Sequence, residues 1–188
     1  MSRLLGLLIF LGLLSCNEKR EEGNVKKYFD IDSLINSQIS MLSAARRSVQ
    51  KYAKINLQGD SASLTPDSAG WENELATFRH LDIINKPIYN DAYTFSESKD
   101  PNSNLTVHTY RANRNIPIQE LRIYYLNTLN NLKRLEASTS ERNALFSTDR
   151  KMKIEFDGIL TLYELSGIQK MILSDTVRFS IKSKVMVE

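Results

Sequence analysis

The chain has 188 residues, 41% of them apolar and 25% charged, and a formal net charge of +3 at neutral pH. That length suits one domain with a small appendage, and the composition excludes a disordered or low-complexity chain. The small net charge specifies neither nucleic acid nor an anionic surface as partner.

Met1-Ser2-Arg3 precede an apolar run from Leu4 to Leu14, which is followed by Ser15 and Cys16. A positive start, a short apolar stretch and a small residue before the cut compose a secretory signal. The run is too short to span a bilayer, which takes about 20 apolar residues. Leu13-Leu14-Ser15-Cys16 resembles the lipobox of bacterial lipoproteins, with Leu at its first position and the obligatory Cys at its last. The resemblance implies cleavage before Cys16, palmitate-type diacylation of its thiol and acylation of the new amino terminus. The product is a protein anchored in the bacterial outer membrane, on the periplasmic or the cell-surface side. More than one acyl chain agrees with the weak membrane binding that a single chain supplies. Cys16 is the only cysteine, so no disulfide forms within the mature chain and no redox role is assigned.

Residues 1–15 are thus expected to form the signal, 16–27 a lipidated Cys and flexible tether, and 28–188 a single domain. Asn17 to Asn24 carries no apolar side chain and reads as solvated linker. Its acidic residues resemble the surface-export signals of lipoproteins from Bacteroidota-type bacteria.

From Tyr28 to Lys54 the spacing of Ile31, Ile35, Ile39, Leu42, Ala45, Val49 and Tyr52 predicts an amphipathic helix. Asp30, Asp32 and Ser33 supply capping chemistry at its start, and Gln58-Gly59-Asp60 stops it. Asn56 to Gly70 reads as a polar connection. Trp71, Leu75, Phe78 and Leu81 then predict a second helix that ends near Asn85-Lys86-Pro87. The phrases Trp71-Glu72-Asn73-Glu74-Leu75 and Asp82-Ile83-Ile84-Asn85-Lys86-Pro87 resemble envelope lipoproteins of the same bacterial group, and they carry no known chemistry.

Beyond Pro87 the period changes from 3.6 to 2. Tyr89–Ser96, Leu105–Tyr110 and Leu121–Tyr125 read as strands, and the Leu spacing from Leu126 to Leu135 suggests a helical turn between strands. Asp157-Gly158 between alternating runs predicts a hairpin. Ser166-Gly167 and Ser174-Asp175 read as further turns, and Val177 to Val187 as the last strand. The expected class is α+β: two N-terminal helices within 28–86, packed on a curved antiparallel sheet of seven or eight strands within 87–188.

Chemistry is sparse. His80 and His108 are the only histidines, too few for a zinc site, and each reads as a structural or surface residue. No phosphate loop or metalloprotease signature occurs. Glu72 with Glu74, and Glu155 with Asp157 beside Lys153, are carboxylate pairs whose simpler reading is a solvated face. Asp100, Asn102 and Asn104 form a polar turn. Tyr89, Tyr93, Phe95, Tyr110, Tyr124, Tyr125 and Tyr163 follow the strand preference of aromatics; Tyr124, out of phase with its neighbours, could join Arg111, Arg114 and Arg122 in a contact surface. The expected function is a lipid-anchored, non-enzymatic binding or adaptor module without cofactor or metal, meeting an envelope protein, a glycan or an apolar ligand held between sheet and helix. The alternative is an envelope hydrolase acting on glycan or lipid through the loop carboxylates Glu155 and Asp157.

Overall fold

Ile31, Ile35, Ile39 and Leu42 line one face of the first helix, α1 (Ile31–Ala44), and all four are buried. The structure, a computed structural model, describes residues 26–186; Cys16, the apolar leader and residues 17–25 lie outside the described residues. The Asp30 side chain caps α1 by accepting the Ser33 N–H. Asp82 adds a tertiary cap, accepting the Ile31 and Asp32 N–H groups at 3.1 and 3.3 Å. Lys26 pairs with Asp30 and Asp82, and Lys27 with Asp91, so these two residues of the expected tether belong to the domain.

The first helix ends ten residues earlier than its sequence period suggests. Arg46 takes a left-handed backbone (φ 47°), its N–H bonds the Ser43 carbonyl, and the Arg47 N–H returns to the Leu42 carbonyl. This is the helix stop that glycine usually makes, and Arg at that position leaves no signal in the sequence. The chain continues as a strand, β1 (Ser48–Ile55), in which Val49, Lys51 and Ala53 face the helices while Gln50, Tyr52 and Lys54 face away. A two-residue loop, Asn56-Leu57, leads into β2 (Gln58–Leu64), where a polar connection was expected. Every residue of β2 is exposed, so no hydrophobic alternation marks it.

The second helix, α2 (Ser68–Arg79), is capped by Asp67 and buries Trp71, Leu75 and Phe78. Short 3₁₀ turns over His80–Asn85 and Pro87–Tyr89 lead to a meander: β3 (Tyr93–Lys99), β4 (Thr106–Ala112), β5 (Ile118–Tyr125), β6 (Leu132–Arg142), β7 (Phe146–Asp157), β8 (Ile159–Met171) and β9 (Val177–Met186). The class is α+β, with one antiparallel sheet of nine strands in the order β2-β1-β9-β8-β7-β6-β5-β4-β3. It exceeds the expected seven or eight because β1 lies in the stretch read as helix and β2 in the stretch read as a polar connection.

Other expectations are corrected locally. Tyr89 belongs to a 3₁₀ turn, and the strand begins at Tyr93. Leu126 to Asn131 is a loop without a helical turn, whereas Leu132 and Leu135 are buried on β6. Ser166-Gly167 lies inside β8, opposite Phe179. A Cβ on Gly167 would stand 2.5 Å from the Asp149 carbonyl oxygen and 2.7 Å from Phe179 Cζ, so this glycine serves close packing. The Asp157-Gly158 hairpin does form, with Gly158 at φ 71°.

Both helices cover one face of the sheet, where Ile123, Leu135, Ile154, Leu160 and Val185 join the buried cluster with Trp71 and Leu75. Two polar contacts register the layers. Gln38, buried on α1, accepts the Leu160 N–H through Oε1 at 2.7 Å. Glu74 on α2 holds Lys51 Nζ at 2.5 Å and accepts the Tyr163 hydroxyl at 2.6 Å. Removing one partner from such a half-buried set strands the other charge. Glu74→Ala should therefore lower unfolding stability by about 3 kcal/mol in urea titrations, and Lys51→Met with Glu74→Leu should recover most of it. An equal loss in the double variant would show that the Tyr163 hydrogen bond to Glu74, and not the stranded Lys51 charge, carries the effect.

Candidate functional site

Side chains on the sheet face away from the helices meet solvent, and strand register sorts them into rows. One row reads Arg122, Glu136, Lys153, Glu164, Lys182 across β5, β6, β7, β8 and β9. Opposite charges are neighbours along it: Lys153 lies 3.3 Å from Glu164, which lies 2.9 Å from Lys182. Arg122 and Arg111 both reach Glu120 at 2.6 Å. Such exposed pairs each contribute little, but alternating signs keep like charges from standing opposite.

The next row toward the β8–β9 loop differs in kind. Ser138, Lys151, Ser166, Ser180 and Lys54 lie side by side, and beyond them come Ser140, Asp149, Ile168 and Arg178. Together they line a depression of about 590 Å³, with the Gly167 backbone in its floor. Asp149 is already engaged, accepting the Ser140 hydroxyl at 2.6 Å and pairing with Arg142 at 3.4 Å. Those two contacts hold the Asp149 carboxyl below its ordinary pKa, the Ser140 hydrogen bond being the larger cause. Among the described residues no carboxylate pairs with Lys54, Lys151 or Arg178, although every cation of the preceding row is paired. The trough therefore offers three free cations and a line of hydroxyl groups, a setting for anionic, hydroxyl-bearing groups.

The residues singled out from sequence are placed as follows. Glu155 pairs with Lys153 at 3.0 Å on the helix-free face, while Asp157 sits at the β7–β8 turn and pairs with Lys133 at 3.2 Å. Each carboxylate is held by its own lysine. His80 is exposed at the end of α2, and Glu72 is exposed while Glu74 is the interlayer anchor. Asp100 closes the β3–β4 turn, accepting the Ser103 hydroxyl at 2.6 Å. Tyr124 does face away from Leu121, Ile123 and Tyr125, but Arg134 lies over its ring at 3.8 Å and buries it. Arg111 and Arg122 share that face, whereas Arg114 turns back to the Ile88 carbonyl.

His108 has more company than a lone strand histidine suggests. Its Nε2 lies 2.7 Å from Glu97 Oε2 and 2.8 Å from the Tyr125 hydroxyl, which also donates to Glu97 at 3.1 Å. Edge-to-face contacts join it to Phe95 and Tyr125, extending an aromatic chain through Tyr110, Tyr28 and Tyr93 on the sheet end that the helices leave uncovered. Hydrogen bonds from His108 and then Tyr125 hold the Glu97 carboxyl below its ordinary pKa. Burial, and then the Glu97 carboxylate, push the Tyr125 phenol above its own. The cross-strand pairing of Glu97 with His108 is the signal, and it is unreadable until the β3–β4 register is known.

Ser183 shares a row with Tyr163 and Lys51, an arrangement with the residue types of a Ser–Lys nucleophile. It is 0% exposed beneath α2, so no substrate reaches it and the cluster is structural.

Because the folded Glu97 carboxyl titrates below its unfolded value, its contribution to stability holds above that unfolded value. It is lost as pH falls through the folded one. In ¹³C NMR titrations Glu97 should titrate below ordinary glutamates, and His108→Ala should move it back toward them. Glu97→Gln should likewise bring the Tyr125 phenol part of the way down; an unmoved Tyr125 would mean that burial alone raises it. Set against family models, curated proteins and solved structures, the chain matches none, so its functional reading rests on this geometry.

Proposed function

We propose that this chain is a lipid-anchored envelope protein of the bacterial outer membrane that acts as a binding or adaptor module, held at Cys16 and presenting the helix-free sheet face. The observation that carries the binding role is the trough in which Lys54, Lys151 and Arg178 stand without carboxylate partners beside Ser138, Ser166 and Ser180. Lys54 and Arg178 stand on neighbouring strands and repel one another in the free protein, Lys151 lies about three strand spacings from Lys54, and an anionic partner along the trough meets all three. The partner class is therefore an envelope protein or glycan bearing carboxylate or phosphate groups. A binding role also suits the carboxylates named for hydrolysis, since Glu155 and Asp157 are each neutralised by a lysine.

The anchor reading rests on Leu13-Leu14-Ser15-Cys16 in the sequence. Intact mass and detergent partitioning of protein extracted from membranes test it directly. The mature chain should begin at Cys16, be heavier by its acyl groups, and enter the detergent phase; Cys16→Ala should lose the acyl mass. Unmodified Cys16 in a chain that stays in the aqueous phase would contradict the reading.

A further inference from the structure

One end of the sheet concentrates apolar side chains that the fold does not use. Of thirteen large apolar residues exposed among the described residues, seven lie there: Ile55, Leu57, Leu145, Ile168, Met171, Ile172 and Leu173. They occupy the end of β1 with the β1–β2 loop, the β6–β7 loop, and the end of β8 with the loop that follows. The β6–β7 and β8–β9 loops meet, the Ile172 N–H donating to the Leu145 carbonyl at 2.8 Å, whereas Leu57 stands about four strand spacings, roughly 20 Å, from the β6–β7 loop. Exposure at the tips is extreme: Leu57 94%, Leu145 66%, Ile172 61% and Leu173 101%.

Leu173 combines two disfavoured features. Its backbone is left-handed at φ 61°, a region suited to glycine or asparagine, and its whole side chain stands in solvent. Neither feature serves the fold, since the side chain packs on nothing. Cations stand immediately behind the tips, with Lys54 and Arg178 beside Leu57, Lys170 beside Met171 and Arg142 beside Leu145. Counting both signs, Lys54, Arg142, Arg150, Lys170 and Arg178 stand against Glu141, Asp149 and Asp175, a surplus of two positive charges at this end. Apolar fingers backed by Lys and Arg match a lipid surface with anionic headgroups, where side chains enter the acyl boundary and cations meet phosphates.

We infer that this end of the sheet is a membrane-docking tip, inserting Leu145, Ile172 and Leu173 into an anionic lipid surface. The inference rests on the envelope location proposed above and not on the acyl groups themselves. The tip gives a tethered domain a second foothold, which fixes how the trough is turned relative to the membrane. One weak site beside a tether gains greatly from the raised local concentration.

The test uses residues 16–188 with Cys16→Ser, made without the leader so that no lipid is attached; this segment contains the whole buried cluster. Flotation is measured with phosphatidylcholine vesicles and with phosphatidylethanolamine vesicles containing about one-third phosphatidylglycerol. Binding to the anionic vesicles should exceed neutral binding by about tenfold and fall steeply with salt. Ile172→Ser with Leu173→Ser should lower it by about tenfold at an unchanged melting temperature, since both side chains are exposed. No flotation with either vesicle, or flotation that the double variant leaves intact, would overturn the inference. So would a dimer in sedimentation equilibrium that the double variant abolishes, because the tip would then cover a second copy of the chain. The anchor reading fails on a different observable, the mass and partitioning of the wild-type protein.

Discussion

A nine-stranded antiparallel sheet has two faces, and among the described residues two α-helices are available to bury one of them. The organisation of the molecule follows from that shortage. α1 and α2 lie on the face where Ile123, Leu135, Ile154 and Val185 project, and the layer between is filled by buried apolar side chains. Apolar burial supplies the drive but little direction. Position comes from Gln38 on the Leu160 amide and from Glu74 between Lys51 and Tyr163, contacts that a slipped helix would leave unsatisfied.

The opposite face has to live in water. Its solution is a cross-strand alternation of charge through Arg122, Glu136, Lys153, Glu164 and Lys182. Where that alternation stops, serines replace carboxylates and three cations have no carboxylate partner among the described residues, which makes the trough chemically unlike the surface around it. The apolar tips border the same end of the sheet, so the two features outside the economy of folding are neighbours. The two features share Lys54, Ile168 and Arg178, so lipid contact at the tip and partner binding in the trough draw on the same residues.

Sequence periodicity revealed the buried stripe of α1, the α2 anchors, the Asp157-Gly158 hairpin and the alternation of β9, because each is a local pattern with a physical period. It failed where chemistry was locally ambiguous. Val49 and Tyr52 fit a helical stripe as well as a strand, and the stop at Arg46 uses a residue with no preference for its backbone. β2 has polar residues on both faces, so only backbone pairing identifies it. The trough was illegible for a different reason. Lys54, Lys151 and Arg178 come from three strands, and nothing in their spacing reveals the register that places them along one trough with Ser166 and Ser180 between. The Glu97–His108 pair was hidden in the same way.

Orientation at the membrane is the central claim, and the chain has a convenient probe for it. Cys16 is the only cysteine, so once its thiol is acylated an introduced cysteine can be spin-labelled alone. Ile172→Cys and Ser98→Cys place nitroxides at opposite ends of the strands, the first at the tip and the second on β3 near its far turn. In lipidated protein reconstituted into anionic vesicles, the label at Ile172 should be relaxed by oxygen and shielded from an aqueous nickel chelate, and the label at Ser98 should show the reverse. Two labels equally open to the chelate would mean that the domain hangs free on its tether.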